Sequence, residues 1–314
     1  MTKKVAIIGA GYVGSSIAYI LLIKSIAGEI VLIDKNADKC SAEINDLKYG
    51  IPKMGSSHIY SGTYKDIRDC DLIIITAGRN RRPSEDHMDL INDNLITARV
   101  ITDEINKNYN GGIVIIVTNP VDVITYMMTG WLKLPAGRVF GTGCLLDSSR
   151  LVFTLADYFS IEPDKVSAFV IGQHGKEPTV LWSKVLVDGK GLSLDTGTKS
   201  KIESIISGMG MSIISGKGRT HYGIATCVGY LAETILHDRK ATVSVTSVLN
   251  GEYGISDIAF SLPCLVSAAG FERLPEWTLS ETESMQLKET AARLNQVVGQ
   301  LCLPSLSAHQ GEGC

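Results

Sequence analysis

Several features are scarce in this sequence, and each absence excludes a class of protein. The seven cysteines (Cys40, Cys70, Cys144, Cys227, Cys264, Cys302 and Cys314) include no CxxC pair, which speaks against a zinc site or a disulfide framework and leaves reduced, mostly buried thiols. No polybasic run occurs and the net charge is only −3, so neither nucleic acid nor an anionic membrane surface is an expected partner. No apolar stretch approaches the ~20 residues of a membrane span. Met1-Thr2-Lys3-Lys4 leads straight into an apolar strand, so no signal or transit peptide is expected and the cytoplasm is the expected location. There is no internal repeat and no low-complexity segment.

What remains is an ordinary globular composition, 45% apolar and 20% charged over 314 residues, enough for two domains. Its first stretch is its most informative. Val5-Ala6-Ile7-Ile8 reads as a strand covered on both faces, and it runs into Gly9-Ala10-Gly11-Tyr12-Val13-Gly14. In such a turn Gly9 permits the bend, Gly11 lets a pyrophosphate approach the backbone, and Gly14 lets the next helix pack on the strand. A helix over 15–26 and a strand over 29–33 follow, and Asp34 ends that strand twenty residues beyond Gly14. A carboxylate there suits the ribose diol of NAD and would repel the 2′-phosphate of NADP. NAD is therefore the expected cofactor.

The alternation continues. Helices are expected over 37–49, 88–108 and 121–129, with strands at 59–60, 71–76, 113–117 and 139–141, the pattern of a doubly wound parallel sheet. The charged loop 79–87, RNRRPSEDH, lies where ligands bind in such sheets, although a solvated connection reads equally well. Beyond Gly141 the character changes to mixed α+β. Helices are expected over 145–159, 202–215, 222–236 and 280–301, strands over 166–171 and 242–249, and a hairpin around Asp188-Gly189 within 182–194. Residues 304–314 read as a loose tail. The domains are thus set at 1–141 and 142–314.

A nicotinamide enzyme acting on an alcohol and a ketone needs a proton relay, a group that orients it, and an anchor for the substrate. His174, between Gln173 and Gly175 after an apolar strand, suits the first. Asp147 and Arg150, three apart on one helix, could hold an imidazole and a carboxylate respectively. Spacing alone favours an ordinary helix ion pair and a satisfied buried histidine over the functional reading.

The segments GAGYVGSS, LID, NDLKYG, DLIIITAG, VTNPVDVIT, GTGCLLDSSR, GQHG and GEYGISDIAFSLP, spread over residues 9–263, together resemble the L-lactate and L-malate dehydrogenase family. The resemblance implies a Rossmann domain followed by an α+β catalytic domain, assembled as a homodimer or homotetramer. It implies that Gly9, Gly11, Gly14 and Asp34 bind NAD, and that Asn119 positions nicotinamide and substrate. Asp147 and His174 would form the proton relay, and Arg150 would hold the carboxylate of a small 2-keto or 2-hydroxy acid. No metal is implied.

The sequence departs from the family in its active-site loop. The position 32 residues before Asn119, where the family carries an arginine that polarises the substrate carbonyl, is His87. Six residues earlier, the specificity position is Arg81, the malate-type choice, which favours a dicarboxylate such as oxaloacetate over pyruvate. Histidine has an ordinary pKa of ~6.5 and is mostly neutral at pH 7, and loss of a charged donor to a developing oxyanion costs on the order of 10²–10³ in rate. Arg79 and Arg82 are candidate substitutes. Gln173 replaces the family's usual glutamate, and Val152 and Ser167 occupy the positions that bind phosphate in relatives activated by fructose 1,6-bisphosphate, so no such activation is expected. Two rivals stand beside the dehydrogenase: a catalytically impaired NAD-binding regulatory protein, and an NAD-dependent glycosidase with a metal held by Cys144 and His174, against which the DSSR segment argues.

Overall fold

The computed structural model describes residues 2–54, 57–79, 87–175 and 178–301, with Met54 and His87 described by backbone alone. The first half alternates strand and helix: β1 (Lys4–Ile8), α1 (Tyr12–Ile23), β2 (Glu29–Ile33), α2 (Ala37–Met54), β3 (His58–Ser61), β4 (Leu72–Ile75), α3 (His87–Asn108), β5 (Ile113–Ile116), α4 (Val121–Trp131) and β6 (Val139–Gly141). These six strands pair in parallel in the order β6-β5-β4-β1-β2-β3. Chain order reverses between β1 and β4, and that switch point is where open sheets of this kind form a crevice. Continuous Ile/Val/Leu strands form here because both faces are covered. Val5 and Ile7 pack into one apolar cluster, Ala6 and Ile8 into the other.

The second half comprises α5 (Leu145–Phe159), β7 (Val166–Ser167), β8 (Val170–Ile171), β9 (Thr179–Val180), β10 (Leu186–Val187), β11 (Lys190–Gly191), α6 (Thr196–Lys217), α7 (Tyr222–Leu236), β12 (Ala241–Asn250), β13 (Ser256–Ser267), β14 (Gly270–Arg273) and α8 (Glu281–Gln300). β12 pairs antiparallel with β6 through Thr246 and Gly141, so β14-β13-β12 extends the parallel sheet to nine strands. A third apolar cluster lies between α5, α6 and the short strands.

Several expected elements change on folding. α1 begins at Tyr12, three residues earlier than expected, because the glycine turn passes directly into helix with Gly11 as its cap. α2 runs on through Gly50 to Met54, and α6 extends to Thr196–Lys217, where the Asp195 carboxylate caps its start and left-handed Gly218 ends it. The expected strand 166–171 is two short strands, and only β10 and β11 of the expected hairpin pair, around left-handed Asp188 and Gly189. β13 and β14 were not expected at all. The expected tail lies outside the described residues.

Candidate active site

Three strand ends converge on the glycine turn. Gly9 has φ +114°, and a Cβ there would meet Ala77 N at 2.7 Å. A Cβ on Gly14 would lie 1.9 Å from the Gly9 carbonyl oxygen, so only glycine lets α1 pack this closely on β1. Gly11 differs: nothing lies within 4 Å of where its Cβ would be, and no side chain caps the helix it begins. At the end of β2, Asp34 accepts hydrogen bonds from Ala10 N (2.7 Å) and Asn36 N (2.9 Å), tying the turn to the next strand.

Asn119 follows β5 on a turn with a cis bond to Pro120. Its carbonyl accepts from Asn94 Nδ2 at 2.7 Å, and the same Asn94 side chain holds Arg79 through both its N–H (2.9 Å) and its carbonyl (3.2 Å). Buried Asn94 thus fastens the start of the charged loop to the Asn119 turn. It was absent from the sequence reading, yet its spacing from Ile91 and Ala98 puts it on the buried stripe of α3, where an amide needs a partner.

His174, Asp147 and Arg150 come together. The His174 ring bonds through Nδ1 to Asp147 Oδ2 at 2.6 Å, and Arg150 Nη1 donates to Asp147 Oδ1 at 3.1 Å. The Asp147 side chain is 3% exposed, that of Arg150 14% and that of His174 23%. Because a carboxylate only accepts, the Nδ1 proton belongs to the histidine and Nε2 is left for another partner. Burial opposes a charge on His174, but the Asp147 charge and hydrogen bond, with the Asp122 charge behind them, outweigh it and raise the ring's pKa above 6.5. Asp122 also went unread. It is buried in the first turn of α4, where its Oδ2 accepts from the His174 backbone N–H at 2.9 Å and its Oδ1 from Thr246 Oγ1 at 2.6 Å. Its sequence signal was an acid in an otherwise apolar run, VDVIT.

The model for the lactate/malate dehydrogenase NAD-binding domain matches residues 3–141, and that for the family's alpha/beta C-terminal domain matches residues 144–301. The chain belongs to the lactate/malate dehydrogenase family. It is 36% identical over 308 residues to the L-lactate dehydrogenase of Thermoanaerobacterium saccharolyticum, covering 95% of this chain and 99% of that one. Against the L-lactate dehydrogenase of Priestia megaterium the identity is 35% over 303 residues, covering 94% and 95%. The crystal structure of the minor L-lactate dehydrogenase from Enterococcus mundtii in its ligands-bound form superposes with a TM-score of 0.93 at 31% identity, covering 96% and 99%. The L-lactate dehydrogenase of Clostridium thermocellum gives 0.86 at 37%, covering 96% and 100%. This chain is accordingly an NAD-dependent 2-hydroxy acid dehydrogenase of lactate/malate dehydrogenase type.

The residues fit the cofactor of this dehydrogenase family. The open approach at Gly11 admits a phosphate to the uncapped start of α1. Asp34 uses one acceptor site on each oxygen for the protein and retains others for a diol. Of the loop positions, Arg81 and Arg82 lie outside the described residues, and His87 is the first residue of α3. Arg79, the other candidate substitute, pairs through Nε with Asp93 at 2.7 Å. Cys144 is buried and its thiol donates to the Gly172 carbonyl. Among the described residues, no helix is long and apolar enough to cross a membrane.

Proposed function

We propose that this dehydrogenase interconverts a 2-keto and an L-2-hydroxy acid with His174 as proton relay, and that its substrate carries a second carboxylate. The observation that carries the relay is the Asp147-bound His174 ring, with Arg150 one helical turn away and the Asn119 turn joined to His174 through Asp122. Gly9, Gly11, Gly14 and Asp34 would hold NAD, which supplies or accepts the hydride when bound. In reduction the imidazolium of His174 gives its Nε2 proton to the oxygen that becomes the hydroxyl; in oxidation neutral His174 takes it back. Asp147 keeps the ring in the useful tautomer and stabilises its charge. Arg150 grips the 1-carboxylate, a task for which a planar guanidinium is suited. Asn119 orients the carbonyl and nicotinamide.

Arg81 supports the dicarboxylate reading, since a fixed cation at the specificity position meets a second carboxylate. The names of the relatives support pyruvate and lactate instead. The ratio of kcat/KM for oxaloacetate and pyruvate separates the two. We expect the native chain to favour oxaloacetate and Arg81→Gln to shift the ratio toward pyruvate by about 10²-fold or more, the scale of a charge-assisted contact. An unchanged ratio assigns specificity elsewhere. NADH binding without turnover of any keto acid would instead support the regulatory reading.

Assembly as a homodimer or homotetramer is part of the proposal, supported by exposed Tyr12, Tyr19 and Ile23 on α1 beside Tyr222 and Tyr230 on α7, which packs against it. A cytoplasmic location is supported by the buried free thiols.

A further inference from the structure

Behind His174 lies a buried polar chain whose donors all point one way. Cys144 N donates to Ser261 Oγ at 3.0 Å, and Ser261 Oγ lies 2.7 Å from Thr246 Oγ1, which lies 2.6 Å from Asp122 Oδ1. An amide must donate and a carboxylate must accept, so the two hydroxyl protons between them have one consistent arrangement: Ser261 donates to Thr246, and Thr246 to Asp122. The other oxygen of Asp122 accepts the His174 backbone N–H. Both oxygens therefore face donors, an arrangement that suits the ionised carboxylate and strengthens along the chain.

The same chain fixes the histidine loop. Ser261 exchanges backbone hydrogen bonds with Gly172 at 2.9 Å in both directions, two residues before His174. His174 is thereby held at three points: Gly172 by β13, its own N–H by Asp122 on α4, and its ring by Asp147 on α5. Asp122 lies three residues after Asn119, so it couples the Asn119 turn to the histidine. Among the described residues, the charged groups acting on His174 are Asp122 from α4 and Asp147 and Arg150 from α5, while β12 and β13 contribute hydroxyls. With both carboxylates ionised and both bases protonated, this group is electrically neutral.

We propose that Asp122 is a positioning residue for the proton relay, a second carboxylate that holds the His174 backbone from behind and adds its negative charge to that of Asp147. The proposal rests on the proton-relay reading above. Burial pushes the Asp122 carboxyl up to about 6 despite the Thr246 hydrogen bond and the His174 charge, so its influence grows as pH rises through that value and is present at neutral pH.

The test is an NMR titration of the His174 ring in the full chain carrying ¹³C-labelled histidine, assigned with His174→Asn, together with pH profiles of NADH-dependent keto-acid reduction. Asp122→Asn keeps an acceptor for the His174 N–H and removes the charge. We expect it to lower the His174 pKa by about 0.5 or more and to move the alkaline fall of the reduction rate to lower pH by the same amount. Reduction at pH 8 should then drop about threefold or more, while the rate at pH 6 changes less. Thr246→Val removes the donor that stabilises the carboxylate, and should move the His174 pKa in the same direction by a smaller amount. It provides the reading should the first variant not fold. An unmoved His174 pKa in the variants that fold, with any loss of rate the same at every pH, overturns the proposal. A native chain without keto-acid turnover overturns the relay reading instead, and the ring titration still decides the role of Asp122.

Discussion

His174 and Asp147 are joined by a 2.6 Å hydrogen bond between Nδ1 and Oδ2, and Asp147 is in turn held by Arg150. One carboxylate thus sets the tautomer of the proposed proton relay and holds the arginine proposed to anchor the substrate. Asp147→Asn leaves the shape but removes the charge and presents an amide that can hold the ring in the wrong tautomer. We expect kcat to fall by about 10²–10⁴, with NADH affinity unchanged. A loss below tenfold would show that His174 needs no charged partner.

The raised pKa of His174 fixes the direction of the pH dependence. On the proposed relay, reduction requires the imidazolium, so its rate should hold through pH 6.5 and fall as pH rises through the ring's higher value; oxidation should rise over the same interval. Reduction rates followed from pH 5.5 to 9.5 under saturating NADH check this, and a fall already centred below 6.5 contradicts it.

His87 begins α3, and the resemblance to the family proposes it for the position of a carbonyl-polarising arginine. His87→Arg should raise kcat for keto-acid reduction at pH 8 by about 10-fold or more, within the range ascribed to a single preorganised donor. The gain should shrink toward pH 6, where histidine itself is charged. No gain at any pH would mean that another group polarises the carbonyl.

A third buried carboxylate is structural. Glu283 on α8 accepts from Ser183 N (2.9 Å), Ser183 Oγ (2.8 Å) and Ser280 N (2.8 Å), bracing α8 against the segment after β9. Burial alone would raise its pKa, yet these hydrogen bonds outweigh that and depress it below 4.5. A depressed carboxyl stabilises the fold above its unfolded pKa, and the contribution is lost as pH falls through the folded value. Glu283→Gln should cost about 1–3 kcal/mol at pH 7, with the difference from the native chain narrowing below pH 4. Denaturant unfolding at the two pH values reads this directly, and an equal cost at both would assign it to packing alone.

Much of this was legible in the sequence because its signals are local. Continuous apolar strands, the glycine turn and Asp34 fix the parallel half, and α5 and α7 have the ends their periodicity implies. β13 escaped because its burial does not alternate and because Pro263 argues against a strand. The structure accommodates that proline because β14 pairs only from Cys264 onward, leaving no partner on that side to miss its N–H. Asp122 and Asn94 escaped for a related reason. Each reads as an ordinary helix residue, and its meaning depends on partners 52 and 25 residues away. His174, Asp147 and Arg150 could be named by residue type, but their convergence is a tertiary fact.

The central claim is tested most directly by NADH oxidation with oxaloacetate and with pyruvate, for the native chain and for His174→Asn. The account predicts turnover of at least one 2-keto acid, faster with oxaloacetate, and loss of about 10²-fold or more in the variant with NADH still bound. Equal rates in the two proteins would contradict it, as would NADH binding without turnover of either acid.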